Sequence, residues 1–397
     1  NVIKFINAIC FKQTGLNIIL FMNLSYWEQK SWFTNIDFAI IGSGIVGLSC
    51  ALELRELHPE AKIVVFEKGT LPSGASTKNA GFACFGSMSE ILQDLETHSP
   101  SEVVGLISER LKGLSTLRAA LTDQRIAYAQ LGGYELFPDT DSAVFDKCVK
   151  NLDAINELLF PIFNANVFSV VDTPFGFEKV ASKAIFNKFE GQLDTGKMMT
   201  ALLEKAASKG VLILNNALVK EISQKSASPV FTLGNLTVEA KSICIATNGF
   251  AKELLQEDVQ PARAQVLITK PIKNLAIKGT FHLDCGYYYF RNIDDRILFG
   301  GARNLAFDAE NTSQTGLTSI IQDKLEHLLK TTILPQTPFE IDTRWSGIMG
   351  VGSQKKPIIK KLYPGVFCGV RLGGMGVAIG SSIGKELAVL SSKKEQH

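Results

Sequence analysis

The segment "DFAIIGSGIVGLSCALEL", Asp37 to Leu54, leaves few folds open to this chain. The run "DFAII" suits a buried parallel strand, and the periodic apolar positions Val46, Leu48, Ala51, Leu52 and Leu54 suit a helix. Between them stands Gly42-x-Gly44-x-x-Gly47. In such a turn Gly42 permits the sharp reversal, Gly44 lets backbone approach a pyrophosphate, and Gly47 lets the helix pack on the strand. The first amides of the helix, around Ile45 and Val46, then face an anion.

His58-Pro59 stops that helix, "AKIVVFE" reads as a second strand, and Glu67 closes it where a carboxylate can accept bonds from ribose hydroxyls, with Lys68 next to it. The spacing predicts a dinucleotide site in an α/β domain. The piece that follows, "KGTLPSGASTKNAGFACFGS", is too rich in Gly, Ser and Ala for an ordinary crossover helix. Within it, "SGASTKNAGF" (Ser73 to Phe82) resembles the G-A-S-x-x-N-x-G segment of the FAD-dependent D-amino acid oxidase-like (DAO) family, which includes glycine, sarcosine and γ-glutamylputrescine oxidase types.

The resemblance runs from Asp37 to Leu390 and implies a Rossmann-like FAD-binding domain of the glutathione reductase type, interleaved with an antiparallel-sheet substrate domain. It implies further cofactor contacts at Ala75, Ser76, Thr77, Asn79, Ala80 and Gly81, at Val219 against the adenine, and at Ala246, Thr247 and Gly249 beside the flavin. It also implies contacts at Gly373, Gly374, Met375 and Gly376, where "GVRLGGMGVAIG" opens a glycine-rich helix. A helix N-terminus near N1 and O2 stabilises the anion of a reduced flavin. No cysteine stands in "RWSGIMG", the place where sarcosine oxidases attach flavin, so the FAD is expected to be non-covalent.

On this reading the FAD-binding domain is discontinuous, at 36–90, 191–260 and 341–390, and the substrate domain takes 91–190 and 261–340. Asp194 caps a helix that Gly210 closes, which resumes the βαβ pattern, and Gly234-Asn235 turns a hairpin. Helical stretches are expected in "SPSEVVGLISERLKGLSTLRAALTDQ" and "FDKCVKNLDAINELLF". Residues 1–35 form an N-terminal extension with a short helix opened by the capping box Ser25-x-x-Glu28. Residues 1–21 read as upstream, non-native sequence, with an interfacial anchor as the alternative. Lys4, Lys12 and Gln13 break the apolar run, so no membrane span is expected, although weak peripheral association stays open.

Charge excludes another class of partner. With 41 basic against 39 acidic residues and no Lys/Arg block beyond the tail "KKEQH", no surplus is left for a nucleic-acid backbone. The seven cysteines are scattered and free of C-x-x-C spacing, which predicts neither a disulfide framework nor a metal site and fits a reducing cytoplasm.

Substrate groups are expected in the strands "YYYFRN" and "GGARN". Alternation sends Tyr287, Tyr289 and Arg291 to one face and Tyr288 with Phe290 to the other. Arg303 and Lys78 are further candidates, and no catalytic acid or base is assigned. The chain departs from the glycine oxidase pattern at two positions. Met349 stands where that type places a carboxylate-binding arginine, and a glycine, at about Gly374, stands where it places a second. An α-amino acid held by two arginines is therefore in doubt. Three readings remain: an FAD-dependent amine or amino-acid oxidase or dehydrogenase acting on a small molecule, a 2-hydroxy-acid dehydrogenase, and a non-catalytic FAD-binding protein.

Overall fold

A computed structural model describes residues 23–140, 142–225 and 228–393. The expectations for residues 1–21 and for the tail beyond Lys393 lie outside them. Two eight-stranded sheets organise the chain. In the first, Val366–Val370, Leu236–Ile245, Ile36–Ile41, Ile63–Phe66 and Leu212–Leu214 run parallel in that order. Its register places Ile41 beside both Phe66 and Ile245. The residues that leave those strand ends, Gly42, Glu67 and Ala246, therefore emerge side by side at the carboxyl edge, where ligands bind open α/β sheets.

Three helices cover one face of this sheet. Ile45–Leu57 packs on Gly376–Ser392 through small residues: a Cβ on Gly384 would stand 2.6 Å from the Val46 carbonyl oxygen. Thr195–Ser208 adds Met198, Met199 and Leu202 to the same core. Pro100–Leu121, expected in the substrate domain, packs instead against Gly376–Ser392, and its Leu117 and Leu121 join that core. Its Gly113 leaves room for the partner helix, since a Cβ there would meet the Ala378 oxygen at 2.3 Å.

The second sheet is not purely antiparallel. Thr280–Leu283 runs parallel to Gly133–Leu136, while its other pairings are antiparallel. The strand Ile341–Val351, expected in the nucleotide-binding part, is an edge of this sheet, paired along Gln260–Thr269 from Gln260↔Val351 to Thr269↔Ile341. That pairing moves the boundary expected at 341. Tyr288 and Phe290 face a core behind the sheet with Phe281 and Phe299. The helical stretch "FDKCVKNLDAINELLF" is helical in two pieces, Ala143–Lys150 and Leu152–Phe163, which meet at Asn151. The Asn151 amide side chain bonds the Lys147 carbonyl at 2.8 Å, a local alternative to the helical ladder.

Candidate active site

Gly47 makes the opening turn possible by its lack of a side chain, because a Cβ there would stand 1.9 Å from the Gly42 carbonyl oxygen. Gly44 caps the helix Ile45–Leu57 without a side-chain hydrogen bond of its own. The Ile45 N–H instead donates to the Ser76 hydroxyl at 3.0 Å, which puts a polar oxygen from the "SGASTKN" loop at the helix N-terminus.

Glu67 is buried and heavily engaged. Its Oε2 accepts from the Ser43 N–H (3.1 Å) and hydroxyl (2.8 Å), and its Oε1 from the Gly69 N–H (2.9 Å) and the Ser73 hydroxyl (3.0 Å). The carboxylate thus staples the glycine turn to the loop behind it. Asn79 does the same further on, accepting from the Gly81 N–H and from the Thr195 hydroxyl.

A cavity of about 670 Å³ starts at this edge and runs under the second sheet. Gly42, Gly44, Ile45, Val46, Glu67, Lys68, Ala75, Ser76, Asn79 and Ala80 line it, as do Val219, Ala246 and Thr247. The loop Gly373, Gly374, Met375 and Gly376 lines it at the N-terminus of the last helix, whose cap position carries no side-chain hydrogen bond. Lys68 Nζ rests 3.0 Å from the centroid of the Phe250 ring, and burial lowers its pKa. The Thr247 hydroxyl lines the cavity, buried and without a hydrogen-bond partner.

Five predicted positions do not line it. Gly47 serves packing, and so does Gly249, whose Cβ would meet the Met349 oxygen at 2.3 Å. Thr77 turns its hydroxyl onto the Pro72 and Gly74 carbonyls. Gly81 has φ +74° and lies against Leu193 and Arg291. Arg291 shares a face with Tyr289 as alternation predicts, yet it is 2% exposed and donates to the backbone carbonyls of Ala80, Leu193 and Asn292. It ties the loop and does not line the cavity, because neighbouring chain closes over that end of its strand.

Tyr287, Tyr289, Arg303, Lys78 and Met349 also line the cavity. Burial pushes the Tyr289 phenol up to about 12. Two lining residues carry no assignment in the sequence reading. His282 pairs through Nε2 with Glu190 at 2.9 Å, and that carboxylate also accepts from the Thr280 hydroxyl at 2.8 Å. Burial works against the imidazolium, but the Glu190 charge and hydrogen bond overcome it and raise the pKa to about 9. Cys84 lies 4.0 Å from the Met375 sulfur, and burial raises its thiol well above the ordinary value. Strand alternation in "TFHL" would have found His282, since Phe281 faces the core and Thr280 and His282 the opposite side.

Residues 37–390 match the DAO family, described as FAD dependent oxidoreductase. The chain belongs to that family. It is 24% identical over 302 residues to a glycine oxidase of Geobacillus kaustophilus, covering 74% of this chain and 76% of the relative. It is 21% identical over 378 residues to a probable oxidoreductase OrdL of Haemophilus influenzae, 89% of this chain and 82% of that one. Among solved structures, the G. kaustophilus glycine oxidase superposes with a TM-score of 0.71 at 21% identity, over 91% of this chain and 95% of its own. An iminodiacetate oxidase from Chelativorans sp. BNC1 gives 0.70 at 20%, over 89% and 94%.

The protein is an FAD-dependent oxidoreductase of mixed α/β fold. Its residues fit the cofactor on three observations: a helix N-terminus without its own cap at Gly44, the orphaned Thr247 hydroxyl, and a second uncapped N-terminus at Met375. Among the described residues no helix is long and apolar enough to cross a membrane, and no group of acidic, His and Cys side chains could hold a metal.

Proposed function

We propose that this enzyme oxidises a small amine or amino acid at the C–H bond beside its nitrogen. Bound FAD supplies the two-electron sink for that oxidation. In this assignment Gly42, Gly44, Ile45 and Val46 carry the pyrophosphate, Glu67 and Lys68 flank the ribose, and Val219 lies on the adenine. Ala75, Ser76, Asn79, Ala80, Ala246 and Thr247 line the path to the ring, and Gly373 to Gly376 aim backbone N–H groups at its pyrimidine edge. The cofactor is held non-covalently, and the scattered cysteines, unpaired among the described residues, support a cytoplasmic location. The balanced charge supports a small-molecule substrate and no nucleic-acid partner.

The observation that carries the reading is the single cavity that joins the glycine turn at Gly42 and Gly44 to Tyr287 and Tyr289 at the second sheet. Burial raises the Tyr289 phenol, and the same burial works against an ammonium ion beside it and favours the neutral amine that C–H oxidation requires. Lys78 and Gly347 adjoin in the lining of the same cavity, with the Trp345 indole N–H donating to the Lys78 carbonyl at 2.9 Å. Anaerobic addition of a panel of amines and amino acids should bleach the flavin absorbance. Bleaching by 2-hydroxy acids alone, or by nothing, would overturn the proposal.

A further inference from the structure

The chain reaches the first sheet through two consecutive helical turns, Tyr26–Glu28 and Gln29–Phe33, that lead into the strand Ile36–Ile41. They are capped. The Glu28 N–H donates to the Ser25 hydroxyl at 3.2 Å, and the Ser25 N–H donates to Glu28 Oε2 at 2.7 Å. Yet no residue in either turn is buried, and turns of three and five residues are too short to hold by themselves in water. Phe33, half-buried, packs back onto the core of the first sheet.

The side chains left in water are aromatic. Tyr26 is 65% exposed, Trp27 69% and Trp32 37%, in a sequence, "YWEQKSWF", that holds no aliphatic side chain. Tyr26 and Trp27 meet edge to face at 5.2 Å, and Lys30 Nζ lies 5.7 Å from the Tyr26 ring centroid, which places a cation beside the aromatic pair. A dry protein interface selects against lysine, whereas a bilayer interface takes all three residue types: indole and phenol sit at headgroup level, and a lysine stem lies along apolar surface with its ammonium at the phosphates.

The charge has the sign that an anionic surface needs. Before Asp37 the sequence carries Lys4, Lys12 and Lys30 against a single acid, Glu28, and that carboxylate is turned onto the Ser25 N–H. At the base of the segment Lys62 Nζ donates to the Thr34 carbonyl at 2.7 Å, while Lys241 and Asp37 cancel each other at 2.8 Å.

We infer that Tyr26, Trp27, Lys30 and Trp32 dock the enzyme on an anionic lipid surface. The strand Ile36–Ile41 sets this segment at the amino edge of the first sheet, and the cavity starts at the carboxyl edge, beside Gly42. The docked enzyme therefore holds its cavity at the far end of the sheet from the lipid, and the inference is independent of which substrate enters it.

Flotation of the flavin-loaded full chain with vesicles of phosphatidylcholine, with and without phosphatidylserine, tests the surface. The chain should float with the phosphatidylserine vesicles, bind roughly tenfold more weakly to phosphatidylcholine alone, and be released by added salt. Trp27→Ser with Trp32→Ser should lower the partition onto anionic vesicles roughly tenfold or more, with flavin content and melting temperature unchanged, because neither indole is buried in the protein. Lys30→Glu should weaken binding to the anionic vesicles roughly tenfold and leave phosphatidylcholine binding as it was, and it decides the matter if the double variant is insoluble. Tryptophan emission should shift to the blue on vesicle addition in wild type and stay fixed in the double variant, whose remaining indole, Trp345, lies in the second sheet. No flotation, equal flotation with both compositions, or an unchanged partition in the variants would overturn the inference. Self-association that the double variant abolishes, with no flotation, would make the segment a face between copies of this chain instead.

Discussion

The Met349 sulfur lies 3.4 Å from the point where a side chain on Gly374 would begin. Two positions distant in sequence, at or near which the resemblance to glycine oxidase types implies carboxylate-binding arginines, thus adjoin on the cavity wall and offer a thioether and bare backbone. Neither can neutralise a carboxylate. A short α-amino acid has no cation to meet here, and an acid group must find one elsewhere on the wall.

Met349→Arg should restore one half of that clamp. Met349 lines the cavity and Gly374 beside it carries no side chain, so the new guanidinium can enter the cavity, and a charge-assisted bond to a carboxylate contributes ~1.5–3 kcal/mol. The rate constant for flavin reduction by glycine at low concentration should rise roughly tenfold or more over wild type. Stopped-flow measurement of both proteins checks it, and an equal or lower rate for the variant rejects the assigned role of the position.

The His282–Glu190 pair makes stability depend on alkaline pH. The imidazole pKa rises from 6.5 unfolded to about 9 folded, so the pair's contribution is fully present below about pH 6.5 and is lost as pH climbs through 9. At ~1.36 kcal/mol per unit the shift corresponds to at most about 3 kcal/mol. Melting temperatures should fall between pH 7 and 9.5 in wild type, and the fall should be much shallower in His282→Gln. Parallel curves for the two proteins would contradict this.

Arg291→Lys tests the correction of that residue from substrate group to brace. A lysine cannot reach the Ala80 and Leu193 carbonyls together as the fork does. We expect a melting point lowered by several degrees and weaker flavin retention, from buried carbonyls left unpaired at ~1–3 kcal/mol. The substrate KM of the FAD-saturated enzyme should not move. A changed KM with an unchanged melting point would return Arg291 to the substrate side.

Local signals decided how much of this was legible in the sequence. The glycine turn, the Asp194 cap and the Gly234-Asn235 hairpin each lie within a few residues, and the structure has all three where they were expected. Long-range pairing escaped. Ile341–Val351 reads as a strand, but nothing local says that it pairs with Gln260–Thr269. Glu190 meets His282 across 92 residues, and Arg291 meets Ala80 across 211. A lone charged residue on a strand looks the same whether it lines a cavity or ties a loop, which is why Arg291 and Arg303 were indistinguishable before the fold was known.

Glu67 now carries two separable roles, and one substitution with a control resolves them. Its carboxylate holds Ser43 and Ser73 to one another's loops, so Glu67→Gln must point an amide N–H₂ at donors that need an acceptor. Loss of the staple alone should lower the melting temperature. If the carboxylate also accepts ribose hydroxyls, FAD affinity should fall by roughly one to two decades while flavin reduction in the saturated enzyme stays near wild type, since the ribose is remote from the ring. The double variant Ser43→Ala, Ser73→Ala removes the staple's hydroxyls and leaves the charge for the ligand. Titrating FAD into each apoprotein then discriminates: Glu67→Gln should weaken binding well beyond the double variant. Equal dissociation constants for the two would mean that Glu67 acts only by shaping the glycine turn.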